Sequence, residues 1–323
     1  MILAAGLSPA WQQIFTFERF ETGEVNRAAE ARTCASGKVI NVGRALFQLG
    51  VESRTLTVVG GRAGQGIRDE FAASDIPATW IETDVPTRTC TTILDRSNGI
   101  TTEIVENALS IGSDVLDRFA AAFMAHATSA DIVVITGSNP PGTPATFHRN
   151  LLRAAPSRCI LDIRGDELLA ALETRPFVVK PNRDELAATL GRDLSGDDDL
   201  LRAMRELNAR GAEWAVVTDG ARPVWMTSAD ATYRVQPPAV DVVNPIGCGD
   251  CLAAGMAWGV SQGRAPAEWL RIGIAAAADN AAQLLPARLD RDRVAEFVRI
   301  LQSEKRTPEF SRILLPPTEL RVE

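Results

Sequence analysis

The strongest constraint on the fold of this chain is a repeated alternation of short, predominantly apolar runs with longer segments of helical periodicity. The apolar runs are Ile2–Leu7, Thr55–Val59, Ile132–Thr136, Cys159–Ile163, Phe177–Lys180 and Trp214–Thr218. Between them lie helix-period segments at Val39–Leu49, Gly66–Ala73, Asp114–Ala127, Pro144–Ala154, Asp166–Leu172, Arg183–Leu190 and Asp198–Asn208. A strand covered by helices on both faces is apolar on both, so it reads as a continuous hydrophobic run, as Asp131-Ile-Val-Val-Ile-Thr-Gly137 does. The alternation predicts βαβ units and a mainly parallel sheet in a three-layer α/β/α core. Ligands of such sheets sit beyond the carboxyl ends of the strands.

Two stretches break the pattern. Trp11–Ala35 and Pro86–Asn107 carry strand-like segments without intervening helices. They read as antiparallel strands forming a small inserted sheet, a lid at the ligand edge. The expected division is a core of 1–10, 36–85 and 108–323 with a small β lid of 11–35 and 86–107. Pro223–Val240 reads as a strand or hairpin, followed by helices at Asp250–Gln262, Ala267–Leu284 and Arg291–Gln302 and an irregular tail from Pro308.

Composition narrows the function. A net charge of −7 is the wrong sign for a general nucleic-acid binder, which needs a basic footprint. The longest apolar stretches, such as Ile272–Ala278, fall far short of the roughly 20 residues of a membrane span. The first residues carry no basic n-region, and a soluble, cytoplasmic protein without membrane partners is expected. Five scattered cysteines fit reduced thiols better than a disulfide framework.

The chemistry concentrates in Asn244-Pro-Ile-Gly-Cys-Gly-Asp250, which runs directly into the helical pattern Cys251–Val260. Gly247 and Gly249 permit a tight turn and close backbone approach to a ligand. The first N–H groups of the following helix are free to donate, and the helix dipole favours negative charge there. Asp250 is thereby held beside an anion site, an arrangement suited to phosphoryl transfer: the donors stabilise the transferring group while the carboxylate takes a proton from an acceptor hydroxyl. By itself the motif also reads as an ordinary Asp at a helix start after a glycine turn.

Seven segments together resemble a known family. Leu7-Ser-Pro-Ala10, Gly23-Glu-Val-Asn-Arg27, Gly37-Lys-Val-Ile-Asn-Val-Gly-Arg44, Thr87-Arg-Thr89, Gly137-Ser-Asn-Pro-Pro-Gly142, Lys180-Pro-Asn-Arg-Asp-Glu185 and Gly247-Cys-Gly-Asp250 stand in the order and spacing of the ribokinase-like (PfkB) kinases. The likeness is strongest to the 1-phosphofructokinase and tagatose-6-phosphate kinase branch. It implies a ribokinase-like nucleotide- and substrate-binding core and an ATP- and Mg²⁺-dependent sugar or sugar-phosphate kinase. Asp250 would be the base, with Gly247, Cys248 and Gly249 as the anion hole. Lys180, Asn182, Glu185, Thr218, Gly220 and Asn280 would serve the nucleotide, with Asn182 and Glu185 holding the metal through water. An amide and a carboxylate three apart at a helix start share a face; the same pair also reads as a capping pair. Gln12, Gly37, Lys38, Asn41, Arg88, Arg27 and Ser138 would contact the acceptor, the two arginines through a substrate phosphate that their planar forks suit. Related kinases pair lid to lid, so a homodimer through the lid is expected.

The departures fall on the acceptor side. The family's Asn-Pro-Ala-hydrophobic-Asp becomes Ser8-Pro9-Ala10-Trp11-Gln12, replacing a carboxylate by an uncharged amide. Gly-Gly-Lys-Gly becomes Ser36-Gly37-Lys38-Val39, and a β-branched side chain at Val39 is expected to narrow the pocket or shift the substrate. Two alternatives therefore stay open: a kinase-fold metabolite sensor with lost or altered catalysis, and a kinase for an unphosphorylated sugar or nucleoside. Cys248-x-x-Cys251 lacks the further ligands of a zinc site. His126 and His148 fall in helical segments away from the motifs, which disfavours a Ser-His-Asp hydrolase. There is no Gly-x-x-x-x-Gly-Lys-Ser/Thr and no Gly-x-Gly-x-x-Gly opening the first helix.

Overall fold

A computed structural model describes residues 1–155 and 158–303; the tail expected from Pro308 lies outside the described residues. The first half runs β1 (Ile2–Gly6), β2 (Ala10–Phe17), β3 (Glu30–Ser36), α1 (Lys38–Gln48), β4 (Ser53–Val59), α2 (Gly61–Ala73), β5 (Ala78–Glu82), β6 (Arg88–Asp95), β7 (Ile100–Val105), α3 (Ser113–Ala127) and β8 (Ile132–Thr136). The second continues α4 (Phe147–Ala154), β9 (Arg158–Asp162), α5 (Gly165–Ala171), β10 (Val178–Val179), α6 (Arg183–Leu190), α7 (Asp197–Ala209), β11 (Trp214–Val217), β12 (Val224–Thr227), β13 (Thr232–Val235), α8 (Cys248–Ser261), α9 (Pro266–Ala281) and α10 (Arg291–Ser303).

The large sheet has the order β13-β12-β11-β10-β9-β8-β1-β4-β5. Every pair from β5 to β11 is parallel, and only β12 and β13 turn back as the antiparallel hairpin read at Pro223–Val240. Strand parity divides the core in two. Ile2, Ala4, Ile132 and Val134 face α1, α8 and α9, whereas Leu3, Ala5, Val133 and Ile135 face α3, α4, α5 and α7. Burial on both faces explains the uninterrupted apolar runs. Gly255 and Gly273 let α8 and α9 pack closely: a Cβ on Gly255 would lie 2.8 Å from the Ile272 carbonyl oxygen, and one on Gly273 2.7 Å from that of Leu252. This packing fixes where α8 begins.

The second sheet has the order β3-β2-β6-β7. It is mixed rather than wholly antiparallel. Each hairpin, β2–β3 and β6–β7, is antiparallel, but the two outgoing strands β2 and β6 pair in parallel because both leave the core in the same direction. Three further differences have local causes. β5 gave no signal because it is a half-exposed edge strand. β10 has only two residues, bracketed by Pro176 and Pro181, which cannot donate to a ladder. α2 starts at Gly61 rather than Gly66, its first turn lacking an apolar stripe.

Candidate active site

The carboxyl edge of the parallel sheet gathers the polar residues. Thr136 ends β8, Asp162 ends β9, Lys180 follows β10 and Thr218 follows β11. Against this edge the first turns of α1 and α8 converge. Gly37 enters α1 at φ +89°, and a Cβ there would sit 2.8 Å from the Ala10 backbone nitrogen, so the chain crosses closely between the two sheets. Gly247 enters α8 at φ +86°, a left-handed conformation that favours glycine. The N–H groups of Gly249 and Asp250 have no hydrogen-bond partner among the described residues. They form the orphan-donor start of a helix.

Asp250 is 6% exposed and accepts a 2.8 Å hydrogen bond from Asn41 Nδ2. Burial, and then the nearby negative charge of Asp162, push its pKa from 3.8 up to about 7, against the opposing pull of Lys38, Asn41 and Lys180. Asp162 is buried between two cations: its Oδ1 lies 3.1 Å from Lys38 Nζ and 3.3 Å from Lys180 Nζ, and Thr136 Oγ1 donates to Oδ2 at 3.3 Å. Burial alone would raise the Asp162 carboxyl; the two lysines outweigh it and hold it below its ordinary range. Lys38 Nζ also lies 3.2 Å from Glu185 Oε1. Burial would lower Lys38, but Asp162, Glu185 and Asp250 hold it charged, well above its ordinary value. Lys180 lies over the glycine turn, 3.3 Å from where a Cβ on Gly249 would be. Two ammonium groups and two orphan amides therefore lie in the surroundings of Asp250.

Asn182 and Glu185 form a capping box at the start of α6: Glu185 N donates to Asn182 Oδ1 at 2.7 Å, and Asn182 N to Glu185 Oε2 at 3.0 Å. The capping reading of this pair is what the geometry shows, and Glu185 Oε1 is paired with Lys38. Asn182 bridges to Thr218, and Arg183 N donates to the Thr218 carbonyl, so the Thr218–Gly220 turn lies beside α6 with Gly220 exposed at φ +55°.

Asn280, expected to serve the nucleotide, is wholly buried beneath the turn. Nδ2 donates to the Ile246 carbonyl at 2.9 Å, and Oδ1 accepts from Ala287 N at 2.7 Å and from Cys251 Sγ at 3.4 Å. It ties the anion turn to the segment after α9. Cys248 also meets Asn280, and burial pushes its thiol up to about 11 and that of Cys251 well above the ordinary range, so both are inert filling.

The acceptor-side residues divide. Lys38 and Asn41 belong to the cluster above. Gln12 is buried in β2, its Nε2 donating to Thr92 Oγ1 of β6 at 2.8 Å, so part of its amide is held within the small sheet. Arg88 reaches back to the core end of that sheet, donating to the carbonyls of Ser8 and Pro9 at 3.4 Å each. Ser138 is exposed in the loop after β8. Arg27 is exposed beyond the outer end of the β2–β3 hairpin, whose core end is the Ala10–Ser36 pair, so it lies away from its own chain's cluster. Val39 does not line the opening: it is 1% exposed and packs with Ile40, Ile67 and Phe71. Arg44 is likewise interior, paired at 2.8 Å with Glu70. Asp162, which no motif singled out, is the residue the sequence reading missed. Its one sequence signal is an acid ending an apolar run at the carboxyl edge of a strand.

The fold is that of the ribokinase-like kinases. A ribokinase from Thermotoga maritima superposes with a TM-score of 0.73 at 17% identity, over 93% of this chain and 99% of that one. A Thermotoga maritima protein described as a possible 1-phosphofructokinase superposes with a TM-score of 0.85 at 24% identity, over 93% and 97% of the two chains. Phosphofructokinase-2 from Escherichia coli, crystallised with fructose-6-phosphate, matches with a TM-score of 0.84 at 25% identity, over 94% of this chain and all of that one. The model of the pfkB family carbohydrate kinases matches residues 10–284. The chain belongs to that family and is a sugar or sugar-phosphate kinase.

Proposed function

We propose that the chain transfers the γ-phosphoryl group of ATP to a hydroxyl of a small sugar phosphate of the hexose-phosphate type, with Asp250 as general base. The observation that carries this is Asp250 itself: a buried carboxylate with a pKa near 7, beside the orphan amides of α8 and the Lys180 ammonium. Above that pH it is an ionised base of matched strength. It takes the acceptor hydroxyl proton, while the Gly247–Gly249 turn and Lys180 hold the negative charge that develops on the transferring group.

MgATP fits the residues present and supplies the phosphoryl group and its charge-neutralising cation. Among the described residues no three acidic, His or Cys side chains group to hold a metal directly. Mg²⁺ keeps several waters and leans on substrate phosphates, so Asn182 and Glu185 would hold it through water. Thr218 and Gly220 would border the nucleotide; Asn280 would support the turn beneath it.

On the acceptor side, Asn41, Lys38, Gly37 and Ser138 would meet the sugar and Arg88 its phosphate. Gln12 takes no carboxylate to the sugar hydroxyls, which favours an altered acceptor over lost catalysis. The second sheet would close as a lid. Its edge strand β7 exposes Ile100 and Ile104 on one face and Val105 on the other, an apolar edge suited to a lid-to-lid homodimer, and Arg27 would then reach a substrate only in the partner's pocket. A monomeric mass in solution would contradict the dimer.

Asp250→Asn tests the assignment. Its kcat should fall by about 10²–10⁴-fold with ATP still bound, as for loss of a general base; unchanged turnover would remove Asp250 from that role.

A further inference from the structure

Ser36 stands where the resembling kinases carry glycine, and its hydroxyl enters the hydrogen-bonding of the base. It is 1% exposed, with Oγ 3.2 Å from Asn41 Oδ1. Asn41 is 2% exposed, with Nδ2 2.8 Å from Asp250 Oδ2. The same Nδ2 lies 3.3 Å from where a Cβ on Gly247 would sit, so the amide spans from the base of β3 to the anion turn. A carboxamide has a donating end and an accepting end. With Nδ2 toward Asp250 it stabilises the ionised carboxylate; with Oδ1 toward Asp250 it repels it, unless the carboxyl keeps its proton. A hydroxyl donating to Oδ1 selects the first orientation. Glycine at position 36 supplies no such donor.

We propose that Ser36 and Asn41 are positioning residues for Asp250: the serine hydroxyl orients the amide, and the amide aims and stabilises the ionised carboxylate. The consequence for turnover rests on Asp250 being the base; the consequence for its titration does not. The groups facing Asp250 are Lys38 and Asn41 from α1, Asp162 from the end of β9, Lys180 after β10, and Cys248 on its own helix. Asp162 opposes ionisation and the lysines favour it. Ser36 carries no charge, so replacing it leaves this charge set intact.

The test is the titration of the Asp250 side-chain carboxyl by ¹³C NMR on aspartate-labelled protein, with Asp250→Asn identifying the signal. Ser36→Ala and Ser36→Gly should each raise its midpoint by about half a pH unit, and Asn41→Leu by about one unit or more, as expected for loss of a hydrogen bond to a charged group. In the Ser36 variants the acid limb of kcat should move up equally, about a threefold loss below the midpoint, with kcat unchanged at high pH. Midpoints unmoved in both Ser36 variants would overturn the proposal, whatever happens to Asn41→Leu. If the midpoints move while Asp250→Asn keeps its turnover, positioning stands and the base assignment fails. If Asp250→Asn is inactive and the midpoints stay, positioning alone fails.

Discussion

A buried base should cost the protein stability, and Asp250 lets that cost be measured. Its carboxyl rises from 3.8 in the unfolded chain to about 7 in the folded one. Between those values the folded state keeps a proton that the unfolded state has released, so stability falls as pH rises. The contribution is fully present below about 3.8 and lost as pH passes through about 7. A rise of about three pH units at about 1.4 kcal/mol each amounts to about 4 kcal/mol across the window. Asp250→Asn keeps shape and hydrogen-bonding capacity and removes the titration. Relative to wild type it should gain about 4 kcal/mol between pH 4 and pH 8, on the order of 8 °C in Tm for a chain of this size. The assay is urea and thermal unfolding of both proteins across that range. Taking the difference cancels shared groups such as His148, whose burial lowers it to about 4. A difference flat with pH, or an Asn variant less stable at pH 8, would show that Asp250 ionises as an ordinary surface carboxylate and refute the reasoning.

Lys180→Met leaves the buried Asp162 with the half-buried Lys38 as its counter-charge. It should lose about 3 kcal/mol of stability in urea unfolding, and kcat/KM for MgATP should fall at least about 10²-fold, as for loss of one anion-stabilising donor; unchanged kinetics would take Lys180 out of the phosphate site. Val39→Gly restores the family residue but empties a core position and adds a helical glycine, together about 3 kcal/mol. Denaturant titration should show that loss with no gain in kcat/KM for any acceptor, whereas faster turnover of a bulkier sugar would mean that Val39 does shape the pocket.

The sequence declared what depends on neighbours along the chain and concealed what depends on neighbours in space. Ile132–Thr136 was legible to the residue because a strand buried on both faces leaves a run with no polar break. The turn before α8 was legible because Gly247, Gly249 and a following apolar helix form a local pattern. β5 was not, since an edge strand needs no such run. Asp162 was missed, and Ser36 was visible only as a departure from glycine, for a different reason: each matters through partners more than 100 residues away, directly or through Asn41, which the sequence does not show. Asn280 shows the limit most plainly. An amide in an alanine-rich helix has no visible reason to be buried until Ile246, Cys251 and Ala287 are seen around it.

The most direct test of the central claim is ADP release from MgATP against fructose-1-phosphate, fructose-6-phosphate, tagatose-6-phosphate, free hexoses, ribose and nucleosides, each run with wild type and Asp250→Asn. The account predicts ADP release dependent on one of the phosphorylated sugars, abolished in Asp250→Asn and weakened in KM for that sugar by Arg88→Ala. ADP release with unphosphorylated acceptors alone, or equal turnover by Asp250→Asn, would contradict it.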